Sequence, residues 1–175
     1  MNCPSCGHEN IDGIDRCENC LAPFRQLDIP SADAAEGLAR SVMADNLNQL
    51  GREDPICVAP ETAVLEVTRL MKTSNSGCAL VVDEGKLVGI FTEHDVLLRM
   101  TQSPTSLSLS NAANIPVKEL MSANPESLDE TNSVAEALNK MSLGRYRHIP
   151  FKKADGSYAV ASIQSVLRYI AQEDW

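Results

Sequence analysis

The sequence predicts an α+β protein in which one βαββα unit is written twice, behind a small cysteine-bearing module. Three observations predict it. Residues 55–97 recur without a gap at 125–167, so that Pro55, Val64, Glu66, Met71, Val96 and Leu97 are matched by Pro125, Val134, Glu136, Met141, Val166 and Leu167. Within each copy, short apolar runs alternate with stretches of helical period. Four of the six cysteines fall in the first twenty residues as two C-x-x-C pairs. The 175 residues are 43% apolar and 22% charged, a globular composition that suits one ordinary domain or a small module joined to a larger one. No apolar run approaches the roughly 18 residues of a membrane span. The start, MNCPSCGHEN, lacks the basic and apolar regions of a signal peptide. The expectation is a cytoplasmic protein with no membrane partner.

The first element, residues 1–25, carries Cys3-Pro-Ser-Cys6 and Cys17-Glu-Asn-Cys20. Two facing C-x-x-C turns can set four thiolates at the corners of a tetrahedron around zinc, and Gly7 frees the backbone beside the first turn. The alternatives for the same residues are a disulfide pair or a redox C-x-x-C, which the absence of an export signal disfavours. The stretch CPSCGHENIDGIDRCENCLAPF resembles the short zinc ribbons at the ends of many prokaryotic proteins, with Leu21 standing where such ribbons usually repeat the glycine. The resemblance implies a structural zinc on Cys3, Cys6, Cys17 and Cys20, with no coordination position left for water or substrate. A segment this short draws its folding energy from the metal. His8 reads as a surface residue. Glu9, Asp12, Asp15 and Glu18 outnumber Arg16 and Arg25. A protein partner therefore suits this module better than nucleic acid.

Residues 26–40 form a polar linker and the start of a helix expected over 34–50, where Leu38, Val42, Leu47 and Leu50 keep near-helical spacing. Copy one spans 41–102. PICV is a short strand, Val64, Val67 and Met71 line a helix face, CALVVD and KLVGIF flank the turn DEGK, and EHDVLLRM is a closing helix. Residues 103–114 are a polar connector. Copy two spans 115–175 and repeats the order with ESLDET, a helix carrying Val134, Leu138 and Met141, then HIPF, the turn ADGS, YAVASI and SVLRYIA. The methionines are read as core gap-fillers, and Cys57 and Cys78 as buried thiols.

Over roughly residues 41–172 the chain resembles a tandem pair of cystathionine-beta-synthase (CBS) domains. The motifs are GCALVVDEGKLVGIFTEHDVL in copy one, with its G-x-x-T-x-x-D turn, and MSANPESLDETNSVAEALNKMSLGRYRHIPF followed by VLRYIA in copy two. The resemblance implies two units packed as a pseudo-symmetric pair, preceded by the zinc ribbon, and a non-enzymatic module that senses an adenine nucleotide (AMP, ADP or ATP) or S-adenosylmethionine between the units. It further implies a homodimer built through helices.

Physical chemistry supports a ligand at the first turn. At a strand-to-helix junction the first helical amides lack internal partners and attract an anion. Thr92 adds a hydroxyl there, Gly89 admits a neighbour or ligand close to the strand, and Asp95 can accept hydrogen bonds from a ribose diol. The plainer reading of Asp95 is an acid answering the helix dipole. Basic residues of Arg145, Arg147 and His148, before the Ile149-Pro150 step, would reach phosphates by the resemblance, a solvated loop being the alternative. Strand parity puts Arg147 and Ile149 on one face and His148 and Pro150 on the other. Ile56 and Val58 would line an adenine slot. In copy two Ser162 and Ser165 stand where Thr92 and Asp95 do, so Ser162 keeps a hydroxyl and the carboxylate is lost. One strong site is expected.

No catalytic constellation is evident, and a net charge of -9 disfavours nucleic acid. The competing function is a ligand-free dimerising adaptor whose ribbon docks a partner protein.

Overall fold

The helix expected over 34–50 is broken in the computed structural model: α1 (Gly37–Ala44) stops, and a separate 3-10 turn covers Leu47–Leu50. The structure describes residues 8–11, 16–20, 37–50, 55–102 and 113–172, without the side chains of 99–102 and 172. Cys3 and Cys6, most of the linker and residues 103–112 of the connector lie outside the described residues. Met1–Ser41 and Val42–Trp175 are separate compact units.

Copy one runs β1 (Cys57–Val58), α2 (Val64–Thr73), β2 (Cys78–Asp83), β3 (Lys86–Thr92) and α3 (Glu93–Gln102). β1 lies parallel to β2, and β2 and β3 form a hairpin whose turn residues Glu84 and Gly85 both have positive φ, the twist-matched turn that a two-residue hairpin needs. The expected helix face is buried: Val64, Val67 and Met71 enter the core. β4 (Ser122–Ala123), which the sequence did not announce, adds to the free edge of β3. Copy two then runs β5 (Leu128–Asp129), α4 (Val134–Gly144), β6 (His148–Lys152), β7 (Tyr158–Ser162) and α5 (Ile163–Gln172). Its sheet is β5-β6-β7. On α4, Ala137 is buried beside Val134 and Met141 while Leu138 is partly buried.

The two cores are not segregated by sequence. Leu47 and Leu50, at the start of copy one, are buried in the core of copy two with Val134, Ile149 and Phe151. Val117, in the 3-10 turn Val117–Glu119 at the start of copy two, is buried in the core of copy one with Val64, Val67 and Phe91. Each leading arm crosses to the other copy, and the crossings use matching hydrogen bonds. Val64 N–H donates to Ile115 O and Val134 N–H to Asp45 O, both at 2.9 Å. Val117 N–H reaches Thr62 O at 2.8 Å and Leu47 N–H reaches Asn132 O at 3.0 Å. This explains the broken helix, because the bridge between Asn46 and Ser133 takes the backbone that a longer helix would have used.

The sheets meet through a third cluster, in which Cys78, Leu80 and Ile90 of copy one pack with Tyr158 and Val160 of copy two. Leu87 N–H donates to the Tyr158 hydroxyl at 3.2 Å. Cys78 is buried as expected, but Cys57 is exposed: strand parity sends Val58 inward and Cys57 outward. Among the described residues no helix is long and apolar enough to cross a membrane.

Candidate functional site

The end of β3 and the start of α3 are tied by a reciprocal cap. Thr92 donates both its N–H and its hydroxyl to Asp95 Oδ2, at 2.8 and 2.7 Å, and Asp95 N–H returns to Thr92 Oγ1 at 3.3 Å. Thr92 thus stands at the N-cap and Asp95 three residues on, the arrangement of a capping box with an acid as its second member. The other carboxylate oxygen, Oδ1, accepts from the Ser122 hydroxyl at 3.2 Å. The helix-terminal role and an acceptor role are therefore divided between the two oxygens of one carboxylate.

The corresponding corner of copy two keeps the same skeleton. Ser162 N–H donates to Ser165 Oγ at 2.9 Å, and Ser165 N–H donates to Ser162 Oγ at 3.0 Å. Ser165 then spends its own proton on Ser162 O at 2.8 Å and is buried. A single hydroxyl oxygen has been used twice, so nothing anionic is left for a ligand.

Gly89 approaches a neighbour within the chain. A Cβ placed on it would lie 2.1 Å from Met121 Sδ. Met121 precedes β4, whose Ala123 and Ser122 pair with Gly89 and Ile90. Val58 is buried in the copy-one core and Ile56 packs partly buried against it, so their side chains serve that core first.

The remaining expected residues fall elsewhere. A groove of 770 Å³ runs between the copies, lined by Met71 and Lys72 of α2, Gly77, Glu93 and Val96 of α3, and Arg147, His148, Ser162 and Ile163 of copy two. Glu93, Val96 and Leu97 share one face of α3 by their three- and four-residue spacing, whereas Asp95 and Thr92 do not line the groove. The structure therefore brings Arg147, His148 and Ser162 together but sets them on a different face of α3 from Asp95. His148 seats on copy one, since a Cβ on Gly77 would lie 2.8 Å from its Nε2 and 3.5 Å from Glu93 Oε2. Burial holds its pKa below the ordinary histidine value; Glu93 opposes that and Arg147 reinforces it. Arg145 is exposed and left-handed (φ 55°), its N–H closing α4 on Met141 O. Ile149 is 1% exposed and belongs to the copy-two core, so it holds β6 rather than facing a ligand. Pro150 is fully buried, and Arg147 and His148 line one groove, against the parity expected from the sequence, because β6 begins only at His148.

Cys78 offers no nucleophile: burial first, then Glu93, push its thiol up to about 12, against a hydrogen bond with Ser76. In the N-terminal unit Cys17 is buried and Cys20 exposed across a turn, and the buried Asn10 side chain ties the two arms, donating to His8 O at 2.8 Å and accepting from Glu18 N–H at 2.9 Å. His8 is exposed. Among the described residues no three His, Cys, Asp or Glu side chains are grouped to hold a metal.

A family model for the CBS domain matches residues 47–101 and 117–171. The CBS domain-containing protein CBSCBSPB1 of Arabidopsis thaliana is 36% identical over 104 residues, which is 57% of this chain and 17% of that protein. The structure described as CBSX2 in complex with AMP superposes with a TM-score of 0.56 at 23% identity, over 69% of this chain and 90% of that one. The CBS domain pair of protein MJ0100, in complex with methylthioadenosine and S-adenosyl-L-methionine, gives a TM-score of 0.62 at 20% identity, over 75% and 99% of the chains. At such identities the likeness is one of fold.

Proposed function

The chain belongs to the CBS domain family, carrying two copies of the domain over more than half its length, and on that premise we propose that it is a regulatory protein that senses an adenine nucleotide or S-adenosylmethionine at copy one. The observation that carries the reading is the divided carboxylate. Oδ2 of Asp95 caps α3 while Oδ1, among the described residues, meets only a weakly placed, exposed hydroxyl, and the matching corner of copy two has no such oxygen. An anionic acceptor oriented at a helix start is what a ribose diol needs. The solved CBS pairs with bound AMP, methylthioadenosine or S-adenosylmethionine supply the ligand class. In this reading Asp95 and Thr92 hold the sugar, and Arg147, His148 and Ser162, on a different face of α3, are not assigned to the same ligand. No reaction is assigned to the chain.

A zinc ribbon over residues 1–25 belongs to the same reading. The described half of its donor set, Cys17 and Cys20 across one turn, fits one knuckle. With Cys3 and Cys6 the zinc would be fully coordinated and would supply folding energy rather than catalysis. Exposed Leu97 and Leu167, matched across the repeat on α3 and α5, together with Ile163, suit a homodimer through these helices.

Thermal melting tests the sensor. A nucleotide at a hundred times its Kd stabilises by about 2.7 kcal/mol. Asp95→Asn keeps an acceptor for Thr92 but removes the charge, so it retains the fold and loses the ligand-induced shift. Absence of any shift with AMP, ADP, ATP and S-adenosylmethionine overturns the sensor in favour of a ligand-free dimerising adaptor, which the same exposed leucines would serve.

A further inference from the structure

We propose that Ser122 is a latch built into the copy-one site, its hydroxyl holding the carboxylate oxygen of Asp95 that a ribose would take, so that a nucleotide enters by displacing it. The inference rests on the reading that Asp95 holds the sugar.

Four hydrogen bonds meet at this corner, and they differ in kind. Of the three between Thr92 and Asp95, the two made by backbone N–H groups have counterparts in the copy-two cap, where no carboxylate exists, and the third, from the Thr92 hydroxyl, joins the same pair, so they belong to the helix start. The fourth, from Ser122, has no part in capping α3. It reaches Asp95 across 27 residues from a strap that is firmly held at its other end. Val117 is wholly buried in the copy-one core, Val117 N–H and Lys118 N–H bond Thr62 O and Pro60 O at 2.8 and 3.1 Å, and Lys118 pairs with Glu61. Met121 covers Gly89, and Asn124 N–H closes the strap on Val88 O at 3.0 Å. The anchored part fixes where Ser122 sits, while Ser122 itself is exposed and its bond is long, so it can be displaced while Val117 stays seated in the copy-one core.

The strap runs directly into β5 of copy two. Displacing Ser122 therefore loosens the segment between the copies, which gives occupancy at copy one a route to copy two that needs no movement of α3.

The experiment is a calorimetric titration with AMP, joined to hydrogen exchange on the ligand-free and AMP-saturated chain. Losing one modest hydrogen bond that competes with the ligand should tighten AMP binding by about threefold to tenfold in Ser122→Ala. Ser122→Thr, which keeps the hydroxyl, should bind like the natural chain. Exchange at the Asn124 amide should quicken in ligand-free Ser122→Ala, and in the natural chain on saturation with AMP. Unchanged or weaker AMP binding by Ser122→Ala, with Asp95→Asn still unable to bind, overturns the latch and leaves the sugar-holding reading standing. AMP binding that survives Asp95→Asn, or no AMP binding by the natural chain, overturns both.

Discussion

At the start of α3 a threonine and an aspartate close the cap and leave one carboxylate oxygen over; at the start of α5 two serines close the same cap and leave nothing. The two copies also differ at their first helices. α4 begins with a full capping box, Ser133 N–H donating to Glu136 Oε2 at 2.7 Å and Glu136 N–H to Ser133 Oγ at 3.2 Å, whereas α2 begins at Ala63, which has no side chain to cap with. The comparison teaches that the backbone plan of the repeat is held by features common to both copies, while each copy was free to lose an individual polar side chain wherever another group could satisfy the backbone. Divergence falls on what a carboxylate offers beyond the cap. That is where ligand chemistry is expected.

The largest effect should come from breaking the crossed arms. Leu47→Ala removes a fully buried side chain from the copy-two core, and a loss of about 2–5 kcal/mol is expected in urea unfolding. A loss under about half a kcal/mol would mean that the arm is not part of that core. Next comes the packed glycine. Gly89→Ala drives a methyl into Met121, costing about 1–3 kcal/mol by overpacking, and Met121→Ala in the same chain should restore part of it. Copy two carries Ala159 at the matching position, so that the same methyl is already tolerated there.

Smaller is the cap of α4. Ser133→Ala should cost about 1 kcal/mol at neutral pH. The reciprocal bond of the box, from the Ser133 backbone N–H that alanine would keep, is first among the causes that hold the Glu136 carboxyl below its usual range. The stability it confers is present above the ordinary carboxylate value and is lost as pH falls through the lowered one, so Glu136→Gln should differ least from the natural chain in acid. The smallest expected effect concerns His148. Its depressed pKa means that the unfolded chain takes up a proton first, so stability is present above about pH 6.5 and declines as pH falls through the lowered value. His148→Gln should flatten that decline in melts taken across the range. An equal decline in the variant would place the titrating group elsewhere.

Much of the fold was legible from local signals. The range of β2, the start of α3, the buried faces of α2 and α4, and the hairpin turn at Glu84-Gly85 follow from strand parity, helical spacing and turn chemistry, each of which acts over a few residues. The cap at Thr92 and Asp95 was partly legible, since the plainer reading of Asp95 as a helix-start acid describes one of its oxygens. Unread were β4, the exposure of Cys57 and the placing of Arg147 and His148 on a different face of α3 from Asp95.

By itself, the sequence determined the repeat, the element order and the identity of the one turn that keeps an acid, because periodicity and capping are properties of neighbouring residues. Only the tertiary structure decided that each leading arm crosses to the other copy, that Met121 fills the space above Gly89, and that Ser122 meets Asp95. Those contacts join residues far apart in the chain, where no local propensity speaks and only the closing of two cores against each other selects the partner.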